Sequence, residues 1–600
     1  DKRSLLELSE IADLTVKEQL QTINNVSSVG IWGEKRYCMR LWLDPVKMAG
    51  YGITPTDVKS AVDKENVELP SGSIEGNTTE LTVRTMGLMH TAKEFNDLIL
   101  KQTGNQIVRF SDVGRAELGP ADIKSYMKMD GVPMVGVAVV PQPGANHIEI
   151  ANAVYKRMEQ MQKDLPDDVH FKYSFDNTRF IRASIDEVKD TIFEALLLVI
   201  IIIFLFLRDW RVTLVPCIVI PISLIGSFFV MYVCGFSINV LTMLAIVLSV
   251  GLVVDDAIVM TENIYVRIEK GMRPRQAGIE GAKEIFFAII STTVTLLAVF
   301  LPIVFMEGIT GRLFREFSLV IAGTVCISSF AALTITPMLS TKILVRRKQQ
   351  NAFYRWSEPF FVGLNSLYDR SLQAVMKRRW VAIPIIGVMV AIILWLWNDI
   401  PSEMAPLEDR SSISVNTSGT EGVTYEYIRD YTEDVNHVVD SICHDADNIT
   451  ARVTSGSGNI RVTLKDINER DYSQMDVAAK ITQALSKKTK ARSFVQQQSS
   501  FGGRRGGMPI QYVLQATNLE KLQMVLPKFM AKVNSNPTFR MADVNLKFSK
   551  PEARLSINRD RASILGVSTR DVAQTLQYGL SGQRMGYFYM NGKQYEIKGE

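Results

Sequence analysis

Two adjacent carboxylates, Asp255 and Asp256, stand in the middle of the apolar run Ser249-Val250-Gly251-Leu252-Val253-Val254-Asp255-Asp256-Ala257-Ile258-Val259-Met260. An ionised carboxylate at the centre of a bilayer costs about 2.5–3.5 kcal/mol on insertion scales, and two in tandem add mutual repulsion. Packing gives no reason to bear that cost. Two acids so close titrate as a coupled unit, which is what a site that takes up and releases protons needs. The competing reading is a pair near the membrane interface that reaches out to water. Asp190 and Glu194, at the start of another apolar run, are weaker candidates of the same kind.

The elements that must hold this pair are membrane helices. Apolar runs near 187–207, 213–234, 238–260, 286–306, 317–340 and 380–398 are each about the 20 residues that cross a hydrocarbon core. The run Leu196–Leu207 has no polar face, as a soluble helix would need. Basic residues mark alternate connections: Arg208 and Arg211; then Arg267, Lys270, Arg273, Arg275 and Lys283; then nine Lys and Arg between Lys342 and Arg379. Basic loops stay on the cytoplasmic side, which puts residues 1–185 and 400–600 on the other. The segment 351–375 reads as a helix lying on the cytoplasmic surface, or as a plain connector helix. The carboxylate pair then lies about one helical turn from the cytoplasmic end of the third span. No span carries an internal Lys or Arg, so any cationic partner for the pair comes from outside these six runs.

The polar regions repeat one another. Residues 37–62 align without a gap on 551–576: Arg40, Leu41, Gly52, Asp57 and Val58 match Arg554, Leu555, Gly566, Asp571 and Val572. Each copy reads as a strand, a turn with glycine, then a helix opened by a capping box, Thr54 with Asp57 and Ser568 with Asp571. Further alternation of strands and helices (Val135–Val140 with Ile148–Met161, Ser412–Asn416 with Tyr425–Ser441) fits split βαβ subdomains. A β-rich unit is expected over 75–120, and strand, helix, strand over 510–545. A repeat returning after so long an interval suggests an internally duplicated protein. The chain begins at Asp1 and stops within the strand-like stretch Lys593–Ile597, so it reads as a fragment holding about half of it.

Other chemistries find little support. With 47% hydrophobic and 22% charged residues the chain is neither disordered nor collagen-like, and a net charge of +4 gives no reason to expect nucleic acid. The five cysteines, Cys38, Cys217, Cys234, Cys326 and Cys443, have no CxxC spacing, and the five histidines form no HExxH, so no metal site or catalytic residue is expected. Gly502–Gly507, with Arg504 and Arg505 inside, lacks the Gly-Lys-Ser/Thr of a phosphate loop and reads as a flexible loop.

At Gly251–Met260 the sequence resembles the resistance–nodulation–division (RND) exporters, most closely the AcrB-type hydrophobe/amphiphile efflux pumps of Gram-negative inner membranes. The resemblance runs through nearly the whole chain: Gly30–Leu43, Gly52–Val62, Phe204–Asp209, Gly235–Asn239, Asp255-Asp256 with Glu262-Asn263, and Thr336-Pro337-Met338. It implies a polytopic α-helical membrane protein with α+β, ferredoxin-like porter subdomains in the periplasm. The porter would occupy 1–36 and 119–184 around a docking-type subdomain at 37–118. The membrane domain would fill 185–399, two further porter subdomains 400–507 and 508–548, and a second docking-type subdomain would begin at 549–600.

The resemblance further implies a homotrimeric antiporter with the proton as coupling ion and no other cofactor; sodium stays open. It would export small amphiphilic compounds through a periplasmic adaptor (membrane fusion) protein and an outer-membrane channel. Asp255 and Asp256 match the family's paired proton-relay aspartates, whose Lys and Thr partners lie in later helices. The tandem pair speaks against the heavy-metal branch. Phe175, and Trp32 if one extra residue before Tyr37 is allowed, match pocket-lining aromatics; both fit a plain core role equally. Two departures stand out. Ser455–Ile460 replaces the family's Phe- and Gly-rich switch loop without a phenylalanine, and the arm at Pro70–Thr79 looks shortened. The other function considered is a related membrane module assisting protein translocation or lipid handling.

Overall fold

The computed structural model describes residues 3–345, 352–400, 406–498, 510–539 and 542–600. The Gly502–Gly507 segment and the basic residues Arg346, Arg347 and Lys348 lie outside the described residues. The chain divides into two compact units, Asp1–Phe175 with Leu407–Glu600, and Asp176–Pro406.

The second unit holds six helices long and apolar enough to cross a bilayer: Asn177–Leu207, Trp210–Cys234, Val240–Glu269, Pro274–Val304, Thr310–Ile343 and Arg379–Asp399. They are called spans one to six below. The first three start at side-chain caps that satisfy free N–H groups: Asp176, Asp209 and Asn239 accept from Thr178, Arg211 and Thr242. Spans three and four run well past the apolar stretches read from sequence. Arg267, Arg275 and Lys283, expected in a loop, are helical, and only a short turn at 270–273 separates the two helices. There Arg267 pairs with Glu280 and Glu284, so helix continues in water on charge pairs after the apolar requirement ends.

Spans two, three and five form the tight centre. Small residues let them approach: a Cβ on Gly226 would lie 2.8 Å from Ile327, and one on Gly323 2.6 Å from Val230. On span three Val253, Ala257, Met260 and Ile264 make a fully buried stripe at helical spacing. By contrast, Leu197, Leu198, Ile201 and Ile202 of span one stay exposed, an outer surface suited to lipid. The helix Ala352–Lys377 precedes span six. Its Glu358 accepts from Arg208 at 2.6 Å, and Phe361 lies 4.5 Å beneath the same guanidinium.

In the first unit, residues 412–497 run strand, helix, strand, strand, helix, strand. Across the sheet the four strands lie in the order Arg492–Gln497, Ser412–Ser418, Ser457–Thr463, Asn448–Thr454, all antiparallel. This is the split βαβ arrangement. Tyr126–Met129 and Val132–Pro133 extend the sheet at the Asn448–Thr454 edge. Alternation divides its faces. Ile413, Val415, Ala451, Val453, Ile460 and Val462 are buried under the helices Tyr425–Ile442 and Gln474–Leu485, each apolar side chain contributing about 1.5–3 kcal/mol. The other face carries Ser414, Asn416, Arg452, Asn459 and Arg461.

The repeat is visible as structure. In the first copy Asp44 caps Pro45–Tyr51, Gly52 turns with φ +61°, and Thr54 with Asp57 caps Pro55–Glu65. In the second, Asn558 caps Arg559–Ile564, Gly566 turns with φ +67°, and Ser568 with Asp571 caps Thr569–Leu580. A hairpin follows each, Pro70–Glu75 with Glu80–Arg84 and Arg584–Met590 with Lys593–Gly599. The strands differ. Tyr37–Leu43 pairs with Gly114–Pro120 and, in parallel, with Lys593–Gly599, whereas 551–557 forms no strand. The residues that were expected to be strands flanking Leu519–Ser535 within 510–545 form none among the described residues either. Alternating side chains suit a pleat, but a strand exists only where a neighbour completes its ladder, and here none does.

Candidate functional site

Span three carries Asp255 and Asp256 next to its buried stripe. Neighbouring helical positions point about 100° apart, and the two carboxylates meet different surroundings. Asp256 is half-buried against span five, where Ser329 donates its hydroxyl to Oδ2 at 3.0 Å. Thr292 of span four lies 3.5 Å from Oδ1, at the limit of hydrogen bonding. Thr293, one residue on, donates to Ser329 in this arrangement, its hydroxyl also lying 2.7 Å from the Ile289 carbonyl as the alternative acceptor. A buried hydroxyl chain, Thr293–Ser329–Asp256, therefore links spans four, five and three. One position before Ser329, Ser328 donates to the Val253 carbonyl at 3.1 Å. Asp255 is exposed and, among the described residues, has no hydrogen-bond or ion-pair partner.

Both carboxylates border one cleft of about 560 Å³, lined also by Gly251, Leu252, Ser291, Thr292, Thr295 and Leu296. It is open and mostly apolar, with the polar atoms gathered at the two acids and the span-four hydroxyls. Among the described residues no three His, Cys, Asp or Glu side chains gather to hold a metal ion. Asp190 and Glu194 are exposed on span one and border none of this. Sequence reasoning found the acids and missed the hydroxyls. Ser329, Thr292 and Thr293 stand in runs that read as uniformly apolar, and Ser and Thr commonly satisfy themselves on their own helix backbone.

The sequence model of the AcrB/AcrD/AcrF family matches residues 1–598. The chain belongs to this family. It is 30% identical over its whole length to the multidrug resistance protein MdtC of Pectobacterium atrosepticum and to that of Pectobacterium carotovorum, and 29% identical to the one of Escherichia coli. In each case the chain spans 59% of the relative's length. The RND resemblance read at Gly251–Met260 is thus a family membership that covers nearly every residue.

The first unit brings together the other two residues singled out from sequence. Trp32 ends the strand Val26–Trp32, which pairs with Gly136–Pro141. Phe175 follows the segment tied to the six-stranded sheet by Ser174, whose hydroxyl bonds Thr450 at 2.8 Å and whose carbonyl accepts from Thr463 at 3.1 Å. Their rings stack with centroids 6.2 Å apart and planes 21° apart. Phe175 remains 36% exposed, more than a core residue would be. Trp32 borders a cleft of about 320 Å³ together with Arg36, Asp122, Tyr126 and Arg452. The segment Ser455–Ile460 is a tight turn, Ser455-Gly456 with Gly456 at φ +85°, running directly into the strand Ser457–Thr463.

Proposed function

We propose that the chain is about half of a proton-driven antiporter subunit that exports hydrophobic and amphiphilic compounds. The observation that carries this reading is Asp256, a carboxylate inside an apolar span, bonded by Ser329 of another span and bordering a cleft. Asp255 and Asp256 are the proton relay.

The geometry gives the relay a mechanical consequence. An ionised Asp256 accepts the Ser329 hydroxyl and, through it, stays linked to Thr293. A protonated Asp256 becomes a donor as well as an acceptor, and a proton placed on Oδ2 turns the Ser329 hydroxyl away. Removing the charge also removes the main reason to keep the cleft wet. Both changes bear on the packing of span three against spans four and five, which are joined by small residues and single hydrogen bonds. Moving one charge across the membrane supplies about 2.3 kcal/mol per 100 mV, comparable to one or two such bonds.

The protein works in the inner membrane of a Gram-negative bacterium, with both polar regions in the periplasm, as the basic connections argue. There it assembles as a homotrimer with a periplasmic adaptor and an outer-membrane channel. The Trp32–Phe175 stack and its cleft belong to the substrate path. The name multidrug resistance protein, borne by the relatives, supports export as the activity.

The test is export from cells lacking their own pumps and carrying the full-length protein, with Asp255→Asn and Asp256→Asn compared. Each substitution is expected to abolish proton-coupled export at unchanged protein level. Intact export and proton flux in both variants would remove the relay from these residues.

A further inference from the structure

The open face of the six-stranded sheet carries two guanidiniums that no acid compensates. Arg452 opposes Asn459 and Arg461 opposes Thr450 on neighbouring antiparallel strands, so the two arginines are diagonal neighbours on one face. Arg452 lies over Trp32, its guanidinium carbon 5.0 Å from the ring centre, and Arg461 over Phe175 at 4.0 Å. With the Trp32–Phe175 stack, the four side chains make one aromatic and cationic cluster.

Among the described residues neither guanidinium donates a hydrogen bond or forms an ion pair. The acids nearest the cleft are otherwise engaged: Glu34 holds Arg36 at 2.7 Å, and Asp122 accepts the Lys124 N–H at 2.8 Å. Stacking on a ring occupies a guanidinium's flat faces and leaves its in-plane N–H groups free for a pair of anionic oxygens, as a carboxylate or sulfonate presents. Arg461 is half-buried, and burial pulls its affinity for its proton down with no carboxylate to offset the effect. Alongside run Asn459, donating to Asn416 at 2.7 Å, and Asn416, donating to Gln496 at 3.1 Å, a neutral polar ladder that adds no competing charge. A cation held half out of water without an anion is costly, unless an anion arrives during function.

We propose that Arg452 and Arg461 bind the carboxylate or sulfonate of an anionic amphiphile whose apolar body lies against Trp32 and Phe175. The proposal rests on the reading of this cleft as part of the substrate path, and names the substrate class. Anions with a flat apolar body are favoured over neutral compounds of the same shape.

Two fluorescent probes separate charge from shape, 8-anilino-1-naphthalenesulfonate and the uncharged N-phenyl-1-naphthylamine. They are titrated into purified full-length protein. Arg452→Gln with Arg461→Gln is expected to weaken the sulfonate about tenfold and the neutral amine less than about twofold, as loss of a charge-assisted contact predicts. Arg452→Lys with Arg461→Lys keeps the charge but loses the stacked in-plane donors, and recovers only part of the sulfonate affinity. Equal loss for both probes, as a disturbed sheet would give, overturns the proposal, and so does no loss for either. The efflux reading fails separately: membrane vesicles carrying the unaltered protein would then export neither probe while the binding difference persists.

Discussion

Ser329 Oγ lies 3.0 Å from Asp256 Oδ2, so a hydroxyl of span five holds a carboxylate of span three inside the membrane unit. Hydrogen bonds to a charged group are worth about 1.5–3 kcal/mol, more than a neutral pair, because the alternative is an unsolvated charge. Ser329→Ala is therefore expected to slow export by on the order of tenfold. Ser329→Thr, which keeps the hydroxyl, should restore most of it. Ser328→Ala is the control, since Ser328 binds the Val253 carbonyl and not the acid. Initial export rates at matched protein levels decide; equal rates for Ser328→Ala and Ser329→Ala would deny the Asp256 bond any part in transport.

Away from the membrane, Asp409 anchors the split βαβ unit. It binds the fully buried Arg470 and accepts the Gln474 N–H at 2.7 Å and the Ser411 N–H at 3.0 Å. Burial alone would raise its pKa, but Arg470 and the two N–H groups outweigh that and hold it below the usual carboxylate range. A carboxyl depressed in the folded state gives stability that is whole above its unfolded pKa, near 3.9, and lost as pH falls through the lower folded value. Asp409→Asn should cost about 3–5 kcal/mol near neutral pH by stranding Arg470. It should also flatten the acid limb of the unfolding curve below about pH 4. Urea unfolding of the full-length protein at a series of pH values reads both effects. An acid limb unchanged by the substitution would mean that another group produces it.

The cysteines offer a test of orientation. Cys234 is exposed at the end of span two, whereas Cys38 and Cys443 are buried with their thiols pushed up to about 11. A thiol with so high a pKa presents very little thiolate near neutral pH and reacts slowly. If the basic connections face the cytoplasm, Cys234 lies at the opposite surface. A variant retaining Cys234 alone should then react with a membrane-impermeant maleimide in spheroplasts without lysis. Variants retaining only Cys38 or only Cys443 should react only after denaturation. Labelling of Cys234 solely in inverted vesicles would reverse the assigned topology.

What could be read from sequence follows from which constraints are local. A run of about 20 apolar residues has few other uses, so the spans were legible, although their ends were not. Arg267 and Arg275 show why: once past the lipid, charged residues extend a helix as well as they end it. Capping boxes at Thr54 and Ser568 were legible because the cap and its partner lie three residues apart. The strand at 551–557 was misread because alternation shows which face a strand would bury, not whether a neighbour will pair with it. Trp32 and Phe175 entered as separate aromatics through a family resemblance, and only the fold stacks them. Arg452 and Arg461 passed unnoticed, yet a signal existed. Each interrupts an apolar alternation (Ala451, Val453; Ile460, Val462) at the position facing away from the helices, where charge is expected and its purpose is set by what lies opposite.

The turn at Ser455-Gly456 gives the last prediction, through two glycines with different needs. Gly458 lies where a Cβ would collide with the hydroxyls of Thr417 and Thr432, which are themselves hydrogen-bonded at 2.8 Å beneath the helix Tyr425–Ile442. Gly456 has open space around it but a φ of +85°. Gly458→Ala should thus destabilise the unit by about 1–3 kcal/mol through overpacking, and no choice of side chain relieves it. Gly456→Ala should cost about 1–2 kcal/mol through backbone strain, and Gly456→Asn distinctly less, because asparagine tolerates the left-handed region. Unfolding free energies for the three variants separate the two causes. Were Gly458→Ala as stable as the unaltered protein, the hairpin would have room to shift, and the segment could move as a loop after all. A loss confined to Gly458→Ala and Gly456→Ala would instead mean that this turn is locked into the sheet.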